Sequence, residues 1–243
     1  MMFEINTPHA AYLLTYPRTI TTMPRLLILS GVSGVGKTSV CEYIRSQYPY
    51  LKVLRYLTTR KPRNNNDMKY TVSGNMEKFD YHQQLGEFFC YCTYVANQQK
   101  YGLLRSEIES VGSRDIAIFL TSYFGNALKA QDPQKVLNIW LICTDETVLL
   151  RRLKHRATEG QPEIANRYRE AINEQNFILS RQNQFITERK IDHVIDTAYK
   201  DVRQVAHQGN RILLSTSHMQ AKCFVTVAIW RGPIVLGRHT RAM

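Results

Sequence analysis

Gly31-Val32-Ser33-Gly34-Val35-Gly36-Lys37-Thr38 stands between the apolar run Leu26-Leu27-Ile28-Leu29-Ser30 and a helical pattern over 37–46. A glycine-rich turn in that position exposes successive backbone N–H groups. The helix N-terminus that follows adds a partial positive charge, so the segment forms a cradle for phosphate. Gly31, Gly34, Val35 and Gly36 offer main-chain donors. Lys37 supplies a mobile charge for the outer phosphates of ATP, Thr38 is placed to put its hydroxyl on Mg²⁺, and Ser33 or Ser39 can supplement the cradle. Three motif glycines, the Lys-Thr pair and both flanking elements agree, which an incidental glycine-rich turn would not produce.

The rest of the chain alternates strands with helices. Strand-like runs recur at 52–57, 88–94, 116–120, 136–143 and 193–195. Helical patterns fall at 76–85, 104–111, 145–155, 163–189 and 199–213. This alternation predicts an α/β fold whose parallel sheet is flanked by helices. Residues 1–22 are unpatterned and read as a tail, because Met23-Pro24-Arg25 stands immediately ahead of the first core strand. Residues 23–214 read as one P-loop domain and 215–243 as a C-terminal extension. The stretches 63–67 and 157–162 are rich in turn formers and read as mobile loops.

A chain of 243 residues with 44% hydrophobic side chains can fill such a core. Its net charge of +12 admits nucleic acid, an anionic membrane surface or a small polyanion as partner. The arginines fall in spaced groups (Arg60 and Arg63; Arg151, Arg152 and Arg156; Arg167 and Arg169), with no long basic run and no RNA-recognition motif. This spacing favours a phosphorylated small molecule over nucleic acid. Five scattered cysteines give neither a disulfide framework nor paired zinc-ligand spacing, which fits a reducing, cytoplasmic setting. Nowhere do 18 apolar residues run together, so no membrane partner is expected. The expected state is a monomer or weak homo-oligomer.

Tyr56-Leu57-Thr58-Thr59-Arg60-Lys61-Pro62-Arg63 follows the second strand. Two arginines three apart on a constrained turn can grip an anionic phosphate in bidentate fashion, and the same residues can equally form a solvated basic loop. Arg151, Lys154 and Arg169 lie at helical spacings that direct them to solvent.

Taken together, these segments resemble the guanylate kinase family over roughly 25–197. The matching pieces are GVSGVGKTS at 31–39, TTRKPR at 58–63, Tyr70, Gly86-Glu87-Phe88, Tyr101-Gly102 and the arginines from 150 to 167. The resemblance implies a P-loop core around 24–55 and 115–200, an acceptor-binding insertion from about 58 to 104, and a helical lid. It implies a Mg²⁺-dependent kinase that moves the ATP γ-phosphoryl group to GMP or another phosphorylated acceptor. Arg60, Arg63, Tyr70 and Tyr101 would hold the acceptor phosphate. Arg152, Arg156 and Arg167, with Lys37, would surround the transferring group. A guanylate-kinase-like module that binds phosphorylated peptides without catalysis is a rival, and the intact P-loop argues against it.

The chain departs from the family in three places. The carboxylate that reads guanine is replaced by Cys90, and the serine after Tyr-Gly by Leu103. The two aspartates after the third core strand are replaced within Leu120-Thr121-Ser122. Losing a charge-assisted hydrogen bond of roughly 1.5–3 kcal/mol should remove about one to two decades of preference for guanine. Ribose 1,5-bisphosphate phosphokinases resemble the chain at Arg55-Tyr56-Leu57-Thr58, lack those aspartates, and carry a serine that aligns with Ser122, a candidate acceptor-binding residue. The end of the chain, 221–241, resembles the opening hairpin of a Nudix hydrolase without its catalytic box. An added β-hairpin on the kinase core is the equal alternative.

Overall fold

A computed structural model describes residues 2–7, 10–15, 25–62, 71–94, 98–111, 116–121, 124–155, 161–188 and 190–215. Arg63, Tyr70, Ser122 and Arg156, the stretch 63–67, residues 157–160 of the loop expected at 157–162, and the terminal segment 221–241 lie outside the described residues, while Gln161 and Pro162 of that expected loop already open a helix.

The core is a five-stranded parallel sheet, as the alternation predicts. It is built from β3 (Arg25–Gly31), β4 (Lys52–Leu54), β9 (Ile116–Thr121), β10 (Val136–Ile142) and β11 (His193–Asp196), in the order β11-β10-β3-β9-β4. The strand that feeds the P-loop is therefore central. Seven helices pack around the sheets: α1 (Lys37–Gln47), α3 (Arg105–Glu109), α4 (Gly125–Gln131), α5 (Glu146–His155), α6 (Gln161–Ser180), α7 (Gln182–Thr187) and α8 (Val202–Ser215), with α2 (Met76–Gln84) covering the insertion.

Alternation along the strands gives the sheet two buried faces. Leu27 and Leu29 of β3 join Ile118, Leu137, Ile139 and Leu141 under Val40 and Ile44 of α1, Leu149 and Leu153 of α5, and Val205 of α8. Leu26 and Ile28 point the other way, to Ala117, Phe119 and Leu128 of α4. Each fully buried leucine, isoleucine or phenylalanine contributes roughly 1.5–3 kcal/mol.

The insertion is a second sheet of β5 (Tyr56–Thr58), β6 (Thr71–Ser73), β7 (Phe88–Tyr94) and β8 (Gln99–Leu104), ordered β6-β5-β8-β7. Its Phe89, Cys90, Cys92, Tyr101 and Leu103 belong to the same buried cluster as Leu26, Ile28 and Phe119 of the core. The two sheets are thus welded by shared apolar packing.

Four expectations need correction. The run 52–57 is two strands in two sheets, because the chain changes sheet at Arg55, whose N–H and guanidinium both bind the Glu107 carboxylate (3.1 and 3.0 Å). The helix expected over 163–189 is interrupted at Arg181, which leaves helical geometry (φ −118°) and stacks on Phe177 at 4.4 Å. The helix expected at 104–111 is shortened to α3 because Leu104 completes β8. The tail contains a hairpin of β1 (Met2–Thr7) and β2 (Ala10–Thr15), with Phe3 opposite Leu14 and Ile5 opposite Tyr12, a period-two pattern that short length concealed.

Candidate active site

Gly31 ends β3 at φ +140°, and a Cβ there would lie 2.4 Å from the Leu141 carbonyl oxygen, so only glycine lets the loop leave the sheet at this point. Gly36 caps α1 in left-handed conformation (φ +99°) with open space beside it. The first turn of α1 carries no acidic residue, so its N–H groups face a space suited to an anion. Val35 is buried in the core and serves the loop through its backbone, while Ser33, Lys37 and Thr38 are partly exposed and Ser39 is exposed. Lys37 Nζ folds back on the loop, donating to the carbonyls of Gly31 (2.6 Å) and Val32 (2.9 Å).

Beside the loop lies a cleft of about 260 Å³, lined by Gly34, Gly36, Ser39, Arg152, Thr197 and Lys200 among others. Arg152 forms part of its wall. Its Nη1 donates to the Thr197 hydroxyl (3.0 Å) and its Nη2 to the Thr197 carbonyl (2.7 Å). Thr197 is itself held to the end of β10 through the Ile142 carbonyl, which accepts from its N–H and its hydroxyl, each at 2.8 Å. Arg167 lies on α6, half-buried, whereas Arg151, Lys154 and Arg169 are exposed, as helical spacing predicts.

Two residues of α6 escaped the sequence reading. Gln175 is 3% exposed and clamps Cys143, accepting from its N–H (2.7 Å) and donating to its carbonyl (2.9 Å). Glu174, its neighbour, lies within the electrostatic reach of Lys37 and Glu170. Burial, with Glu170 adding to it, pushes its carboxyl up to about 7 even though Lys37 pulls the other way. A signal for Gln175 was present: it interrupts the apolar stripe of Ala171 and Ile178, where a buried amide must find partners.

In the insertion, pairing of β5 with β8 sets Thr58 opposite Tyr101, and the Thr59 N–H bonds the Lys100 carbonyl (3.1 Å). This register brings the Arg60 turn beside Tyr101. The Thr58 hydroxyl accepts from the Arg60 N–H (3.1 Å), and Arg60 Nη1 donates to the Lys61 carbonyl (2.9 Å). Tyr101 is 8% exposed, its ring 5.9 Å from that of Tyr56. Cys90 and Leu103, which stand where the family reads guanine, are completely buried, and burial holds the Cys90 thiol well above its usual range. Thr121, at the end of β9, pairs with Ser30 and accepts from the Phe124 N–H (2.9 Å).

No protein-family model matches the chain. It is 30% identical over 152 residues to a guanylate kinase of Anaeromyxobacter dehalogenans, a match that takes in 58% of this chain and 63% of that protein. It is 29% identical over 189 residues to a guanylate kinase of Leifsonia xyli, covering 76% and 71% respectively. Its fold matches the crystal structure of guanylate kinase from Anaplasma phagocytophilum with a TM-score of 0.54 at 17% identity, over 79% of this chain and 85% of that one. The chain is similar in sequence and fold to guanylate kinases, at low identity. The loop from Gly31 to Thr38 lies wholly within the described residues. The chain spans under two thirds of the Anaeromyxobacter protein. Among its described residues no helix is long and apolar enough to cross a membrane, and no group of three or more metal-ligating side chains occurs.

Proposed function

We propose that this chain is a P-loop kinase that transfers the terminal phosphoryl group of ATP to a phosphorylated small molecule. The observation that carries the proposal is the loop from Gly31 to Thr38, whose glycines Gly34 and Gly36 (φ +91° and +99°) lead into the N-terminus of α1 beside a cleft that Gly34, Gly36 and Ser39 help to line.

The residues present fit ATP. Gly34, Val35 and Gly36 would hold its phosphates through the main chain, and the cleft between Ser39, Arg152 and Lys200 would take the nucleoside. Thr38 would hold Mg²⁺ together with phosphate oxygens, and the ion would supply charge neutralisation at the bridging oxygen. Lys37 has to leave the carbonyls of Gly31 and Val32 to meet a phosphate, exchanging two neutral acceptors for an anionic one. Arg60 and Arg63 would hold the acceptor phosphate, with Tyr70 and Tyr101 completing its hydrogen bonds. Arg156 and Arg167 would stabilise charge on the transferring group. No general base is required, because an acceptor phosphate oxygen is already anionic and positioning carries the rate.

One observation favours an acceptor other than GMP. Cys90 and Leu103 are sealed in the cluster shared by the two sheets, so the insertion offers guanine neither charge nor hydrogen bond at those positions. A sugar phosphate such as ribose 1,5-bisphosphate, or a nucleotide read through its phosphate, suits that surface better. Calorimetric titration with MgATP tests the donor half of the proposal. Binding by the wild-type protein that Lys37→Ala weakens by at least about tenfold supports it. Equal binding by both proteins contradicts it.

A further inference from the structure

An amide in the middle of a buried strand has to find partners for its oxygen and for its N–H groups. Asn138 of β10 is fully buried and finds them in three separate parts of the chain. Its Oδ1 accepts from Ser30 Oγ (2.7 Å), and its Nδ2 donates to Asn126 Oδ1 in the first turn of α4 (3.0 Å) and to the Lys190 carbonyl ahead of β11 (2.8 Å). Ser30, equally buried, stands one residue before Gly31, whose carbonyl accepts from Lys37 Nζ. α4 closes on the same spot without a side chain: a Cβ on Gly125 would lie 2.3 Å from Ser30 Oγ and 2.9 and 3.0 Å from the two amide atoms of Asn138. From there packing continues to the insertion. The ring of Phe124, next to Gly125, stacks on Phe119 (6.3 Å between centroids), Phe119 meets Tyr56 edge-on (6.3 Å), and Tyr56 leans on Tyr101 (5.9 Å).

We infer that Ser30 and Asn138 are positioning residues for phosphoryl transfer, which seat the start of α4 against the root of the phosphate loop, and that Gly125 permits this seating because it has no side chain. This rests on the reading of the loop as an ATP site. Ser30 and Asn138 are sealed in the core, so they act through Gly31 on one side and through Phe124 on the other. β3 is held along both edges by β10 and β9, so a forced separation moves either the loop or α4 with the rings that lead to Tyr101. Each displacement changes the distance between donor and acceptor, and a shift of about 1 Å in reacting geometry costs on the order of a hundredfold in rate. The loop's own backbone makes the hold on the donor, so MgATP binding is spared.

The test compares wild type, Ser30→Ala, Gly125→Ala and the double variant as full chains. Calorimetry with a non-hydrolysable MgATP analogue reads the donor site, and ADP release with the most effective of GMP, dGMP, AMP and ribose 1,5-bisphosphate reads kcat. Gly125→Ala should lower kcat at least about tenfold, with analogue affinity within about twofold of wild type. Adding Ser30→Ala removes the atom that the new methyl group meets most closely and should recover at least about threefold of that loss, a rescue that general destabilisation does not give. An unchanged kcat, a loss that the second substitution leaves in place, or weaker analogue binding that accounts for the loss overturns the inference and leaves the ATP site standing. Failure of the wild-type protein to bind the analogue, or to release ADP with any of these acceptors, overturns that reading and the inference with it. If Gly125→Ala does not fold, Ser30→Ala decides: a kcat lowered about threefold or more at unchanged analogue affinity supports the inference, and an unchanged kcat overturns it.

Discussion

Arg152 joins α5 to the turn after β11 by two hydrogen bonds to one residue, Nη1 to the Thr197 hydroxyl at 3.0 Å and Nη2 to the Thr197 carbonyl at 2.7 Å. A lysine carries the same charge but cannot span both acceptors. Arg152→Lys should therefore loosen the cleft wall and raise KM for ATP about tenfold, while kcat stays within about threefold. Steady-state kinetics with varied ATP checks this. A fall in kcat at unchanged KM would place Arg152 on the transferring phosphoryl group instead, as its resemblance to the family's lid implies.

Cys90 offers a sharper test of how the insertion has changed. It is completely buried among Phe89, Cys92 and Leu103. Cys90→Glu restores the family's residue type, but the carboxylate would enter an apolar cluster without a partner. The cost should be about 3 kcal/mol or more, and GMP turnover should not rise. Thermal denaturation combined with GMP kinetics reads both. A stable Cys90→Glu protein with improved GMP use would show that this position faces the acceptor.

Gln175 predicts a purely structural loss with a functional shadow. Gln175→Leu leaves the Cys143 N–H and carbonyl unpaired in a buried place, at about 1–3 kcal/mol for each group. Urea denaturation should show a lowered midpoint. MgATP affinity should shift as well, since Cys143 leads from β10 into α5, the helix that bears Arg152 of the cleft wall. An unchanged midpoint would contradict the clamp.

The central sheet and the phosphate loop were legible because each has a strong local signature. β3, β9 and β10 are predominantly apolar runs, and the loop's glycines, lysine and threonine sit at fixed offsets. What stayed hidden depends on tertiary contact. β8 has three consecutive buried residues, Tyr101, Gly102 and Leu103, and so shows no alternation. Residues 52–57 read as one strand because nothing local tells which sheet Tyr56 will join. Cys90 was legible as a departure from the family, but only the packing of the two sheets shows that its side chain is lost to the core. Glu174 lies two turns after Arg167 and had no sequence signal to distinguish it from an exposed helix carboxylate.

The raised Glu174 carboxyl makes stability depend on pH. Its folded value is about 7 against an ordinary 4.5, so the proton is held more tightly in the folded chain. The stability this contributes is complete below about pH 4.5 and is lost as pH rises through about 7. Glu174→Gln should therefore be more stable than wild type at pH 8, by about 1–3 kcal/mol, and closely matched to it at pH 4.5. Melting temperatures at the two pH values measure the difference. A variant that is less stable at pH 8 would mean that attraction to Lys37 outweighs burial.

The most direct measurement is ADP release from MgATP by the purified chain in the presence of single acceptors: GMP, dGMP, AMP and ribose 1,5-bisphosphate. The P-loop assignment predicts acceptor-dependent release with at least one phosphorylated compound, GMP being a poor one, and its loss by about 100-fold or more in Lys37→Ala. ADP release that no acceptor stimulates, or that Lys37→Ala sustains at the wild-type rate, would contradict phosphoryl transfer at this loop. Turnover of GMP at about 1–100 per second with strong preference over the other acceptors would instead restore an ordinary guanylate kinase and remove the case built on Cys90 and Leu103.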